Sequence, residues 1–440
     1  MMNNAIVENF ENNSNHEKKL SENVDVAALI RFMHHMKILD LFAGIPDPRQ
    51  QSKTTYTLAS LSLWALAVCL FRQGSKNALK TTLEGLHPEQ RESMLHFLEI
   101  EGKNLPHSST VDDALARVDY EAFNQILLEM FSQMNTRKFF YNHAAEILPE
   151  NTYHIGTDGC HLHTYTHPHV VDEHGNNCCP YCLPRRRHAG TDKEEIYWVH
   201  IVVTFVFICD DFTIPLYVYP LKAQQVNTEQ NDEKLKQECE LIAAYTVLSI
   251  IRERFPKINI TFLGDGLYAN RPFIHFCDQH RLDYTIVRKE KSLTKLGNHC
   301  DELSQLELYQ KSYSHQEIAT IGDRIVKRQA SWFNGEHLDD SVTTNVLRFK
   351  EKVLGEDGKV YSDYTCEWLC SKRLSKNNCF KRAKRGRMRW NHENFHNTVK
   401  NRGFNIKHDM ARTHPVLLFN WKLITCVAFF ISEIFNLSTY

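Results

Sequence analysis

A change of period at Tyr153 constrains this chain more than any other feature. Upstream, from Val24 to about Pro149, apolar residues recur with helical spacing, most clearly over Leu58 to Leu70 and Ser75 to Leu83. Ser108-Ser109-Thr110 reads as the cap of a further helix that begins near Val111. No stretch of that lobe has strand character of comparable strength. Downstream, Tyr153 to Thr157, Ile196 to Ile208 and Thr213 to Leu221 read as three strands, the last two separated by a hairpin turn at Cys209-Asp-Asp-Phe. A helix from about Glu233 to Phe255 follows and is closed by Pro256. Then come a strand at Ile258 to Leu263, a helix from about Arg271 and a strand at Tyr284 to Val287.

Three strands, helix, strand, helix, strand is the order of a ribonuclease-H-like α/β core, in which the first and fourth strands are neighbours. The expected organisation is a disordered polar arm over residues 1–23 and an all-α N-terminal lobe over 24–150, serving DNA binding, dimerisation or plain support. The first part of the core covers 151–320. A β-rich insertion with a basic run covers 321–384, with strands at Val342 to Val353 and Val360 to Leu369. Residues 385–440 complete the core with a helix that ends near Gly403 and a final apolar helix from Pro415.

A chain of 440 residues, 42% of them hydrophobic, is long enough for a large core. Its polar beginning has no apolar leader, so thirteen cysteines point to a reduced cytoplasmic compartment rather than a disulfide scaffold. Cys69, Cys209 and Cys277 sit in apolar settings and read as core. Leu58 to Phe71 is too short to cross a membrane, and Pro415 to Leu437 carries Asn420, Lys422 and Glu433, so both are expected as buried helices with no membrane partner. A net charge of −1 excludes a protein that coats nucleic acid indiscriminately. Charge is nevertheless clustered: nine Lys or Arg and no acid lie between Ser371 and Arg389, and Arg185, Arg186 and Arg187 form a second knot. Such clusters can grip a phosphate backbone, with a solvated loop as the alternative.

Three segments each offer one carboxylate: Asp158 in His154-Ile-Gly-Thr-Asp-Gly, Asp265 in Phe262-Leu-Gly-Asp-Gly, and Glu393 in Arg389-Trp-Asn-His-Glu-Asn-Phe. Both aspartates end apolar, β-leaning runs, whereas Glu393 lies in a helical stretch. Neighbouring first and fourth strands would bring Asp158 and Asp265 side by side. On the helix, Arg389 lies roughly 40° and Lys400 roughly 20° from Glu393, so the three share one stripe. Phe395 and Val399 occupy the far side and can pack the helix down. Two divalent ions held by the three acids can activate a water or a 3′-hydroxyl and stabilise the leaving oxygen in displacement at phosphorus. Arginine and lysine beside them would orient phosphates.

The segment Arg389-x3-Glu393-x6-Lys400 resembles the tyrosine–arginine–glutamate–lysine signature of bacterial insertion-sequence transposases with a DDE active site, the group that carries a β-rich insertion before its glutamate. The likeness runs from about Tyr153 onward and continues through Gly403 to His408. Gln237-Glu238-Cys239-Glu240 and Tyr268-Ala-Asn also resemble segments of these enzymes. The resemblance implies that Asp158, Asp265 and Glu393 bind two Mg2+ or Mn2+ ions, and that Arg389 and Lys400 contact DNA near an element end. It also implies double-stranded DNA ends and a target as partners, a homodimer on DNA and a nucleoid-associated location. Lys384, Arg385 and Arg387 of the basic run join the expected DNA contacts. The signature tyrosine falls on Gly386 here, and Trp390 either stacks on a base or packs in the core. The alternatives are a metal-dependent nuclease without strand transfer and a non-catalytic DNA-binding protein derived from a transposase.

Cys178-Cys179-Pro180-Tyr181-Cys182 lies close to His161, His163, His167, His169, His174 and His188. Cys179 and Cys182 have the spacing that lets two sulfurs reach one zinc, and His161 or His163 could complete the set; a reduced surface loop is the alternative. Two nearby prolines, Pro180 and Pro184, with three arginines suggest an irregular loop, which disfavours a redox role.

Overall fold

The strand signals downstream of Tyr153 and the helical signals upstream both materialise. A computed structural model describes residues 26–102, 104–143, 152–188, 190–210, 212–222, 232–404, 406 and 414–438. The expected arm at 1–23 and His408 lie outside the described residues. Among the described residues the strands are β1 Thr152–Tyr165, β2 Leu183–Arg187, β3 Glu195–Ile208, β4 Thr213–Pro220, β5 Asn259–Gly264, β6 Asp283–Val287, β7 Ser314–Ile321, β8 Arg324–His337, β9 Thr343–Gly355 and β10 Val360–Cys370. The protein is a mixed α/β molecule, and two compact units divide it within β1. One unit holds Asn151–Gly156 and Ile251–Trp390; the other holds Ala27–Glu150, Thr157–Ile250 and Asn391–Tyr440.

In the first unit the strand order is β1-β5-β6-β10-β9-β8-β7. β1, β5 and β6 run parallel, with Ile155 opposite Phe262, Gly156 opposite Leu263, and Leu263 opposite Thr285. Five of the six β5 residues are buried, the continuous pattern of a parallel strand covered on both faces. The β-rich stretch expected at 321–384 is preceded by one more strand, β7 from Ser314, and continues this same sheet, because β10 pairs antiparallel with β6 through Trp368, Leu369 and Cys370. The helix Cys379–Arg387 covers β8, β9 and β10 with buried Cys379 and Ala383 and leaves Lys381 and Lys384 exposed. This amphipathic pattern accounts for much of the basic run: the helix needs a polar face.

In the second unit β4 forms the expected hairpin with residues 202–208 of β3, and β2 pairs antiparallel with residues 195–199 of the same strand. Arg185, Arg186 and Arg187 are therefore strand residues rather than an irregular loop, since alternate positions of β2 are buried against the unit. Arg186 lies 3.4 Å from Glu194 and Arg187 stacks 4.6 Å over the Tyr197 ring. All eight residues of β4 are buried, and the helix Tyr120–Thr136 covers them. Asn124 on that helix accepts from the Val218 amide at 2.9 Å and donates to its carbonyl at 3.1 Å, which satisfies backbone groups of an edge strand. The helical residues expected to form a lobe of their own thus belong to the same unit as β3 and β4.

Both long apolar stretches are buried helices, Leu58–Leu70 and Pro415–Ser438. The second is long and apolar enough to cross a membrane, yet Leu417 through Ile431 are all buried within the protein. Asn420 donates from there to the Leu115 and Val118 carbonyls, both at 2.8 Å. Ser108 is the first residue of its helix, and the cap is His107, whose Nδ1 accepts from the Ser109 amide.

Candidate active site

β1 carries the first aspartate out of the core. Six successive residues, Thr152 to Thr157, are buried, and Asp158 is the first exposed position. The strand does not stop there, as the Asp-Gly pair suggested, but runs on to Tyr165. Asp158 Oδ1 accepts from the Gly159 amide at 2.9 Å. A Cβ on residue 159 would collide with the Glu240 carboxylate, so glycine is what admits that acid against β1 at this point. Glu240 belongs to the helix Asp232–Arg254; the sequence marked it only as part of a familiar-looking segment.

Glu393 lies on the helix Trp390–Asn401 and is half-buried. Two polar side chains fix the start of that helix in the second unit. Asn391 donates to the carbonyls of Cys209 at 2.8 Å and Asp210 at 3.3 Å, and His392 Nε2 donates to the Thr204 carbonyl at 3.0 Å. Phe395 and Val399 are buried, as the helical stripe required, and the Phe395 ring meets Phe429 at 5.1 Å. His392 and His396, on the next stripe, are buried too, and each brings a ring nitrogen within 4.8 Å of an Asp158 carboxylate oxygen and of the other. Burial first, then His392 and Lys400, hold the His396 pKa well below the ordinary histidine range, so its ring is neutral. One carboxylate and two buried imidazoles could hold a divalent ion, with Mn2+ suited to nitrogen better than Mg2+. Sequence reasoning missed both histidines because each fits an ordinary polar helix position, and only their spacing of four marked a shared face.

Asp265 follows the last residue of β5 and is half-buried. Its Oδ1 accepts from the Leu267 amide at 2.9 Å, and its carbonyl accepts from Tyr268 at 3.2 Å, which makes a tight turn after the strand. The exposed Lys289 lays its aliphatic stem across Gly266, so a cation stands beside this turn.

The expected DNA contacts divide. Trp390 is 52% exposed rather than core, and the Arg389 guanidinium lies 5.5 Å from its ring centroid. Lys384 is exposed and Lys400 half-buried. Arg385 is buried, with its guanidinium against the Met388 sulfur at 3.3 Å, so it is not presented to a DNA backbone. Arg387 is occupied as well: it binds Glu351 at 2.8 Å and lies 4.4 Å from the Tyr364 ring centroid. A local charge count could not separate these arginines, because burial depends on the sheet beneath the helix.

The loop after β1 turns on Asp172, whose carboxylate accepts from the His174 and Asn176 amides at 2.8 Å, with Gly175 at φ +82°. The turn returns the chain so that Cys179, Cys182, His169 and His200 converge, each offering a ligand atom within 4.8 Å of the others. The histidines in this group are His169 and His200 of β3, not His161 or His163. No family model matches the chain, and no curated protein matches it.

Proposed function

We propose that this protein is a DNA transposase of the DDE type, built on a ribonuclease-H-like core, that cuts and joins the ends of its element by two-metal phosphoryl transfer. Asp158, Asp265 and Glu393 serve as the metal-binding acids. The observation that carries this reading is the packing of the Glu393 helix beside Asp158, within 4.8 Å of it at His392 and His396. The assignment of Asp265 rests on register: the parallel pair Gly156 and Leu263 precedes each aspartate by two residues. The core assignment is supported by the order β4-β3-β1-β5-β6, antiparallel for β3 with β4 and parallel from β1 to β6.

When bound, the Mg2+ or Mn2+ pair supplies Lewis acidity at the scissile phosphate. The chain's own residues do the rest. Arg389, Lys400 and Lys384 orient phosphates, and exposed Trp390 offers a face on which a base can stack. Hydrolysis frees a 3′-hydroxyl, which then attacks target DNA. Joining two ends calls for a homodimer on DNA, and a cytoplasmic, nucleoid-associated location follows from that substrate.

Incubation of the full chain with the DNA flanking its own gene, a supercoiled plasmid and Mn2+ or Mg2+ tests this. Cleaved ends joined to the plasmid are expected, with Asp158→Asn, Asp265→Asn and Glu393→Gln each lowering cleavage by about two to three orders of magnitude. Cleavage without joining would reduce the protein to a nuclease. Retained cleavage in the Asp158→Asn variant would remove the metal assignment altogether.

A further inference from the structure

Away from the carboxylates, the segment after β1 gathers two thiols and two imidazoles. Cys179, Cys182 and His200 are buried to within 2% exposure, whereas the neighbouring Cys178 is exposed. His200 Nε2 stands 3.2 Å from Cys182 Sγ and 3.9 Å from Cys179 Sγ. Its Nδ1 has no hydrogen-bond partner among the described residues, and the two sulfurs, His169 and Tyr165 lie about the ring. We infer that Cys179, Cys182, His169 and His200 hold one structural zinc ion, a site separate from the proposed catalytic metals.

Geometry argues for this first. Zinc bonds of about 2.3 Å to sulfur and about 2.0 Å to nitrogen place tetrahedral S···N pairs about 3.5 Å apart. The two observed separations, 3.2 and 3.9 Å, straddle that value. Chemistry argues in the same direction, since two thiolates and two imidazoles select zinc over the hard ions magnesium and calcium. Both thiols lose their protons to solvent as the metal enters.

The surroundings are built to hold such a centre. Asn177 accepts from the Cys179 amide at 2.9 Å and donates to the Cys179 and Cys182 carbonyls, each at 3.2 Å. The His169 amide points to Cys182 Sγ at 3.5 Å, the kind of contact that stabilises a thiolate. The Tyr165 ring at the end of β1 lies 4.2 Å from His169 and 5.1 Å from His200 between centroids. A zinc here fastens the 169–182 segment to β3 against the tail of the strand that carries Asp158. Four protein ligands leave no open position, so the role is structural.

The test uses the full chain, purified without a metal-binding tag and dialysed against EDTA to remove loosely held ions. Elemental analysis is expected to find about one zinc per chain, and X-ray absorption of that zinc about two sulfur neighbours at about 2.3 Å. Replacement by Co2+ should give a sulfur-to-cobalt charge-transfer band, which the all-oxygen and nitrogen set at Asp158, His392 and His396 does not produce. Cys179→Ser should lose the zinc and the band, whereas Cys178→Ser should keep both. Absence of zinc, a zinc shell of nitrogen and oxygen alone, or a Cys179–Cys182 disulfide in the purified protein would each overturn the site. The absorption measurement needs no variant, so a misfolded Cys179→Ser does not blunt it. None of these readouts depends on DNA cleavage, so the zinc site and the transposase reading fail separately.

Discussion

At Gly386 one missing methyl group records a packing decision made elsewhere in the chain. A Cβ there would stand 2.6 Å from Cε2 of Trp368, a fully buried indole contributed by β10. The room that a larger side chain would need at this position is therefore occupied. Gly386→Ala sets two effects against each other: helix propensity favours alanine by about 1 kcal/mol, and overpacking against a locked tryptophan costs about 1–3 kcal/mol. Packing is expected to win, leaving the variant less stable by about 1–2 kcal/mol in urea denaturation. Replacing Trp368 with leucine in the same chain should recover part of that loss, and simple additivity of the two changes would show that the indole is not the obstacle.

Among the elements, the basic helix Cys379–Arg387 and the strands β8 and β9 are joined by one acid. Glu351 on β9 accepts from Arg328 of β8 and from Arg387 of the helix, both at 2.8 Å. Burial raises the Glu351 pKa, but the hydrogen bonds and charges of the two arginines outweigh it and hold the group below its ordinary value of 4.5. A carboxyl with a depressed folded pKa contributes stability above its unfolded pKa, and that contribution is lost as pH falls through the folded one. Glu351→Gln should therefore cost about 2 kcal/mol at neutral pH, less than a fully buried pair because both arginines are partly exposed. The difference between variant and parent should vanish in acid below the carboxylate range, as read by denaturant midpoints across pH; a pH-independent difference would mean that shape rather than charge is at stake.

For the molecule as a whole, the helices before residue 150 belong to a unit with β3, β4 and the Pro415–Ser438 helix. Asn124 is spent on β4 and Asn420 on the 115–118 turn, so the apolar faces of this lobe have their partners far along the chain. A fragment of residues 24–150 is expected to show no cooperative thermal transition by circular dichroism, whereas the full chain melts cooperatively. A sharp transition in the fragment would establish the lobe as an independent domain.

Local pattern determined a great deal. Apart from β2 and the outer part of β1, the order of strands and helices from Tyr153 to Val287 was legible, as were the hairpin at Cys209, the two buried apolar helices and the inward face of the Glu393 helix, because periodicity and turn chemistry act over a few residues. Only the tertiary structure decided which Arg of the basic run is sealed, that His392 and His396 meet Asp158, that Glu240 slips beside Gly159, and that His169 and His200 rather than His161 or His163 join the cysteines. Each of these depends on close approach between segments tens to hundreds of residues apart. Spacing along one segment carries no record of what the folded chain lays against it.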